Sequence, residues 1–382
     1  VAMLGLMAST AAAQTHTVDL IAAPFNKSVT LPNGTTVAVP MWGFALDTAE
    51  DTNGNGVLDV GEDTNGNGVL DPAEPPTVPG PRISVPPGAS TLTINLKNQL
   101  PVPTSLVITG QPFAAVPVRN AAGRIVSMTA ETLAGATGSY TFTDLKPGTF
   151  LYQSGTHQAV QVQMGLYGAV TQDAVAAVAG TPATPAEAYD LVPYDSQVLL
   201  LYSEIDVALH RAVADGTYGT PPGPTSTINY NPTLFLINGE SYANETVTPA
   251  IEAGAAGQSI LIRLLNAGLR THVPVLDKGT LTLVAEDGNK YPFARPQAAI
   301  LLAAGKTHDA TWTAPAAGVY AVYDRSLSLS APGQGAAGML ARLRFSADPD
   351  GPPPSPGLPV AVNDVFTTPE DPLVALGGDV LT

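Results

Sequence analysis

Residues 148–169, GTFLYQSGTHQAVQVQMGLYGA, decide how the rest of the chain is read. The Pro147-Gly148 turn leads into an apolar run that ends at Leu151-Tyr152, and Gly165-Leu166-Tyr167-Gly168-Ala169 closes the stretch. Gln153, Ser154 and Thr156 make a polar loop between them, suited to ordering water or turning the chain. Ser154 near His157 is not a hydrolytic pair, because no nucleophile-elbow glycine motif surrounds the serine and no third orienting group is apparent.

Upstream, residues 91–96 (TLTINL) alternate strictly and place Leu92, Ile94 and Leu96 on one face of a strand. Residues 17–39 alternate around Pro32-Asn33-Gly34, a hairpin pattern that Met41-Trp42-Gly43-Phe44 continues. Downstream, residues 197–202 read as a buried strand. Ser203 is placed to cap a short helix with Ile205, Leu209, Ala212 and Val213 on one face, Asp206 in the first turn and Gly216 at its stop.

The 382 residues suffice for two or three domains. With 36 prolines, 37 glycines and only 13% charged residues, the composition is that of a turn-punctuated, β-rich globular protein. A net charge of −16 argues against nucleic acid as a partner and fits a protein that meets divalent cations. The absence of cysteine removes disulfides, thiolate nucleophiles and Cys-ligated metals from this chain. Residues 1–14 read as the tail of a signal peptide, so a secreted, extracellular or cell-surface protein is expected, with the periplasm as a further location. No later run approaches the roughly 20 apolar residues of a transmembrane segment.

The central stretch resembles the end of the first cupredoxin domain of multicopper oxidases, in which an aromatic pair leads into His-Ser-His and a loop returns through Gly-Leu-x-Gly-Ala. Further family-like motifs follow in order. They are Val78-Pro79-Gly80-Pro81-Arg82-Ile83, Asn98-Gln99-Leu100-Pro101, Leu236-Ile237-Asn238-Gly239, Ile262-Arg263-Leu264-Leu265-Asn266-Ala267, Val284-Ala285-Glu286-Asp287-Gly288 and Gly338-Met339. The resemblance implies an all-β fold: two cupredoxin-like Greek-key β-sandwich domains with a calcium-loop insertion. The expected order is a leader remnant (1–14), domain 1 (15–173, with the insertion at 47–76), a linker (174–188) and domain 2 (189–346). A Pro-rich linker (347–360) and the opening of a cadherin-like repeat (361–382) would follow.

The family's chemistry needs a blue centre of His, Cys and His, and a copper cluster held by His-x-His pairs, whose i and i+2 side chains share one face of a strand. Here Gln153 and Gly155 stand where the family has histidines, and Leu106-Val107-Ile108-Thr109-Gly110 keeps only the glycine of His-x-His-Gly. The five histidines, His16, His157, His210, His272 and His308, form no such pair. His157 lies nearest the ancestral site and is read as a loop hydrogen-bonding residue. His210 is read as a cation at a helix C-terminus. Glu286-Asp287 and Glu204/Asp206 read as a solvated turn and a helix cap. Copper is therefore not expected.

Residues 51–74 repeat a 12-residue unit, DTNGNGVLDVGE and DTNGNGVLDPAE. Each matches the calcium loop of EF-hands. Asp51, Asn53 and Asn55 would offer side-chain oxygens, Val57 a carbonyl, Asp59 a direct or water-bridged contact and Glu62 a bidentate carboxylate. Asp63, Asn65, Asn67, Val69, Asp71 and Glu74 repeat those roles. With Glu62 followed at once by Asp63, and Pro72 in the second loop, no helices flank the loops. They resemble dockerin or thrombospondin-type repeats more than a sensor.

The leading expectation is a non-catalytic, calcium-stabilised structural or adhesive module that meets cell-surface or matrix components. The alternatives are a copper oxidase of metal ions or phenols with a rearranged site, and a sugar- or peptide-binding module using a cleft with Trp42, Tyr152 and Tyr167. The sequence leaves the oligomeric state open.

Overall fold

The computed structural model describes residues 14–47, 74–179, 184–224, 226–330 and 337–347. Strands dominate. The first half comprises β1 (Gln14–Thr30), β2 (Thr36–Leu46), β3 (Ile83–Val85), β4 (Ala89–Asn98), β5 (Val107–Ile108), β6 (Val118–Arg119), β7 (Ile125–Ser127), β8 (Thr137–Thr143) and β9 (Gly148–Gln153), then α1 (Gln158–Gln161) and β10 (Tyr167–Gln172). The second half comprises β11 (Ala186–Tyr189), β12 (Val192–Tyr194), β13 (Ser196–Ile205), α2 (Val207–Ala214), β14 (Leu234–Ile237), β15 (Ile251–Ala255) and β16 (Ser259–Asn266). It ends with β17 (Pro274–Leu276), β18 (Leu281–Glu286), β19 (Asn289–Gln297), β20 (Thr307–Thr313), β21 (Gly318–Asp324) and β22 (Leu340–Ser346).

Both halves are two-sheet sandwiches, as the sequence leads one to expect. In the first, β2-β1-β4-β8 faces β3-β10-β9-β5; in the second, β14-β13-β16-β20-β18-β19 faces β15-β22-β21-β17. Period-two patterning fills the space between the sheets, with Leu92, Ile94 and Leu96 fully buried against Phe142, Phe150 and Tyr152. The hairpin around Pro32-Asn33-Gly34 forms, with Asn33 Oδ1 accepting from the Thr35 amide at 3.0 Å. Tyr152 and Tyr167 are buried rather than displayed in a cleft, and Trp42 keeps only a small exposed edge.

The halves repeat one topology. β1 runs parallel to β4 as β13 does to β16, and β3 runs parallel to β10 as β15 does to β22. An asparagine ends the repeated inner strand in each half. Asn98 donates to the Val102 and Thr132 carbonyls, and Asn266 to those of Arg270 and Leu302. Six residues beyond each asparagine, Thr104 bridges Thr132 and His272 bridges Leu302.

Three expectations need correction. The helix does not start at Ser203, because β13 continues through Ile205. Asp206 is the N-cap, its Oδ1 accepting from the Ala208 and Leu209 amides at 3.1 and 3.2 Å. His210 is not a surface cation at a helix end: burial lowers its pKa to about 4, so it is neutral, with Nδ1 3.0 Å from the Pro40 carbonyl. The stretch read as a linker carries bridges Val175–Glu187 and Val178–Thr184 before β11 pairs with β12. Among the described residues no helix is long and apolar enough to cross a membrane.

Candidate functional site

The resemblance places histidine ligands at positions 153 and 155, at the end of β9, with Ser154 between them. Ser154 is fully buried, as is Thr104 on the facing segment. Gln161, at the last turn of α1, accepts from the Ser154 hydroxyl at 2.6 Å and the Thr104 hydroxyl at 2.7 Å. Its Nε2 donates to the Pro103 carbonyl at 2.8 Å. A second cluster adjoins, with Thr156 Oγ1 3.0 Å from both Ser105 Oγ and Ser127 Oγ. These hydroxyls and amides use their donors and acceptors on one another, as burial demands. Of the residues in place of the His-x-His motif, Val107 and Ile108 are apolar core and Thr109 is exposed. Gln153 is partly exposed, and Gly155 packs tightly enough that a Cβ would meet Ser105 Oγ at 2.8 Å.

The second sandwich holds a more polar arrangement in the corresponding place. The register of β21 against β17 sets Asp324 where β9 and β5 set Ser154, and His272 corresponds to Thr104. His272 is fully buried between two carboxylates, with Nε2 2.6 Å from Glu204 Oε1 and Nδ1 3.0 Å from Asp324 Oδ2. Burial favours the neutral ring, but the two carboxylates outweigh it and raise the His272 pKa to about 9. Burial also opposes ionisation of Asp324, while His272, Ser328 and the Val273 amide hold its pKa down to about 2. Glu204 accepts further from the Leu269 and Arg270 amides at 3.0 and 3.1 Å, and Tyr230 Oη lies 3.0 Å from its Oε2. Gly268 permits this approach, since a Cβ there would meet Glu204 Oε2 at 2.1 Å.

Between the sandwiches, Arg263 is completely buried. Its Nε donates to Gln197 Oε1 at 2.8 Å, Nη1 to Thr149 Oγ1 at 2.8 Å and Nη2 to Asp173 Oδ1 at 2.5 Å, with Asp309 Oδ1 4.0 Å from Nη1. Burial disfavours the guanidinium, but Asp309 and Asp173 more than compensate and raise its pKa. Asp309 also accepts from Thr149 at 2.7 Å and from Tyr189. Thr149 and Asp173 belong to the first sandwich, Gln197, Arg263 and Asp309 to the second, so the network joins them. Gly148 lets them meet, because a Cβ there would lie 2.9 Å from Gly288 Cα.

The histidines do not share a site. His157 is exposed at the N-cap of α1, His16 is half-buried on β1, and His308 Nε2 lies 3.3 Å from the Leu301 carbonyl with its pKa lowered by burial. Glu286 and Asp287 are tied by Lys306, at 2.6 and 2.5 Å, rather than free in solvent. Of the calcium-loop residues, 51–73 lie outside the described residues; Glu74 is described and exposed. The sequence reading missed the His272 and Arg263 sites. Its available signal was an arginine inside the apolar run 260–265 (ILIRLL), which a buried strand tolerates only with partners.

Two family models, each described as multicopper oxidase, match residues 76–174 and 212–340, together more than half of the chain. The chain belongs to the multicopper oxidase-like family. Solved relatives share the fold at low identity. The blue copper oxidase of Nitrosomonas europaea is similar with a TM-score of 0.61 at 16% identity, over 87% of this chain and 86% of that one. Copper nitrite reductase from Nitrosomonas europaea gives 0.59 at 20%, over 88% and 96%. A laccase from Botrytis aclada gives 0.55 at 20%, over 94% of this chain and 56% of the laccase. No curated protein matches. The family name implies copper, yet the side chains at the expected ligand positions of this multicopper oxidase-like chain are hydroxyl, amide and aliphatic. These do not fit copper, which favours imidazole and sulfur.

Proposed function

We propose that this chain is a non-catalytic, secreted or cell-surface member of its family, a structural or adhesive module stabilised by calcium. The observation that carries the reading is the set of side chains at the expected ligand positions, where Val107, Thr109, Gln153 and Gly155 offer copper no imidazole or thiolate. Protein purified with added copper should contain no stoichiometric copper and show no blue thiolate-to-copper absorption. Stoichiometric binding of copper by the purified chain, with oxidase turnover, would overturn the reading.

The calcium part rests on the tandem 51–74 repeat. Eight acidic residues and no Lys or Arg between 47 and 74 would repel one another without a cation. Extracellular modules bind calcium at about 10⁻⁴–10⁻³ M, so ~1 mM calcium would add roughly 0.4–1.4 kcal/mol per site. The melting temperature should fall by a few degrees in EDTA and recover with calcium. A Glu62→Gln, Glu74→Gln double variant should lose that response. Identical melts of the parent protein with and without EDTA would remove calcium from the proposal.

A further inference from the structure

Directly outside the Gln161 amide lies a cavity of about 480 Å³, within the size range of small-molecule sites. Its walls are apolar and come from both sandwiches: Trp42, Val102 and Val160 from the first, Val213 and Tyr218 from the end of α2 and the turn after it. Gln161 contributes to the lining, but its carbonyl oxygen and one N–H are already engaged. Glu131 and His157 also line it, and no Lys or Arg does. Among the described residues neither Glu131 nor His157 is taken by a side-chain hydrogen bond or an ion pair.

The backbone at His157 has a left-handed φ of 39°, uncommon for a residue with a side chain. It is fixed there by its amide's 2.9 Å bond to the Val126 carbonyl and by the Ser127–Thr156 bridge beside it. The imidazole does not cap α1. Strain of this kind persists where surrounding structure over-determines it, commonly at ligand sites. The cavity is therefore a preformed apolar slot with a carboxylate, a half-buried acid within a chain of net charge −16.

We propose that this slot binds a small organic cation, a primary ammonium carried on a ring-sized apolar body. The body would lie against Trp42, Val160, Val213 and Tyr218. The ammonium would donate to the Glu131 carboxylate, with the His157 imidazole beside it. An anion would meet the Glu131 charge without a compensating base. A neutral analogue would forgo the charge-assisted hydrogen bond, the strong component of such a contact. The inference concerns binding alone and stands whether or not the chain holds copper.

The chain has two tryptophans, and only Trp42 lines the cavity, so a Trp312→Phe background makes its fluorescence a direct readout. Titration of that full-length protein with 2-phenylethylammonium should give a saturable change, confirmed by calorimetry on the parent. The neutral 2-phenylethanol should bind about tenfold more weakly or worse, and phenylacetate not at all. Glu131→Gln, nearly isosteric, should lose about tenfold in affinity for the ammonium while leaving 2-phenylethanol unchanged. Glu131→Lys should abolish ammonium binding. Equal affinity of Glu131→Gln and parent for the ammonium would overturn the proposal, as would equal affinity of the parent for ammonium and alcohol. Absence of saturation by the ammonium up to millimolar concentrations would also overturn it. Should Trp312→Phe not fold, the calorimetric comparison decides alone.

Discussion

Replacing Arg263 with methionine is expected to lower stability by about 3–5 kcal/mol, the cost typical of removing one partner from a buried ionic network. The side chain is completely buried, so no water replaces the lost donors. Asp309 keeps its hydroxyl donors Thr149 and Tyr189 but loses its cation, and Asp173 loses its shortest contact to the second sandwich. Arg263→Lys should recover little, because a point-like ammonium cannot reach Gln197, Thr149 and Asp173 together as the planar fork does. The urea midpoint of the full chain measures both effects. A methionine variant within about 1 kcal/mol of the parent would mean that the network is dispensable.

The second large effect concerns pH. With its folded-state pKa near 9 and its ordinary value of 6.5, His272 binds its proton more tightly in the folded protein. Its contribution is therefore fully present below pH 6.5 and is lost as the pH rises through about 9, a total of roughly 3 kcal/mol. The parent should lose urea resistance between pH 7 and pH 9, below the ordinary tyrosine pKa of about 10. His272→Gln should be less stable at pH 7, because Glu204 and Asp324 would then face a neutral group. It should also lose the alkaline decline specific to the imidazolium. Parallel stability profiles for parent and variant across that window would disprove the charged clamp. On the acid side the sign reverses. Asp324, held down to about 2, contributes stability present above its usual 3.8 and lost as the pH falls through about 2.

What could be read from the sequence were features that depend on neighbouring residues. Leu92, Ile94 and Leu96 announce a strand because alternation is local, and Pro32-Asn33-Gly34 announces a hairpin because turn chemistry is local. The helix was legible, but its start was not. Ser203 and Asp206 are both good caps, and only the pairing of β13 with β14 through Ile205 decides for Asp206. The correspondence of Thr104 with His272 and of Ser154 with Asp324 could not be seen, since the paired residues share no chemistry and are matched only by strand register. The role of His272 could not be seen because Glu204 and Asp324 lie far from it along the chain. His210 looked like a cation because it lies late in its helix, where the dipole favours positive charge. In the folded protein α2 packs against β2, which strips the imidazole of water.

That packing has a further consequence. Leu209, on α2, sits in the hydrophobic core of the first sandwich, although by chain order it belongs to the second half. The modules are therefore not interchangeable beads on a string. A shortened version ending near residue 173 would present water with an oily vacancy where a later leucine should be seated. The amino-terminal half thus borrows part of its core from the other, which ties the pair into a single folding unit.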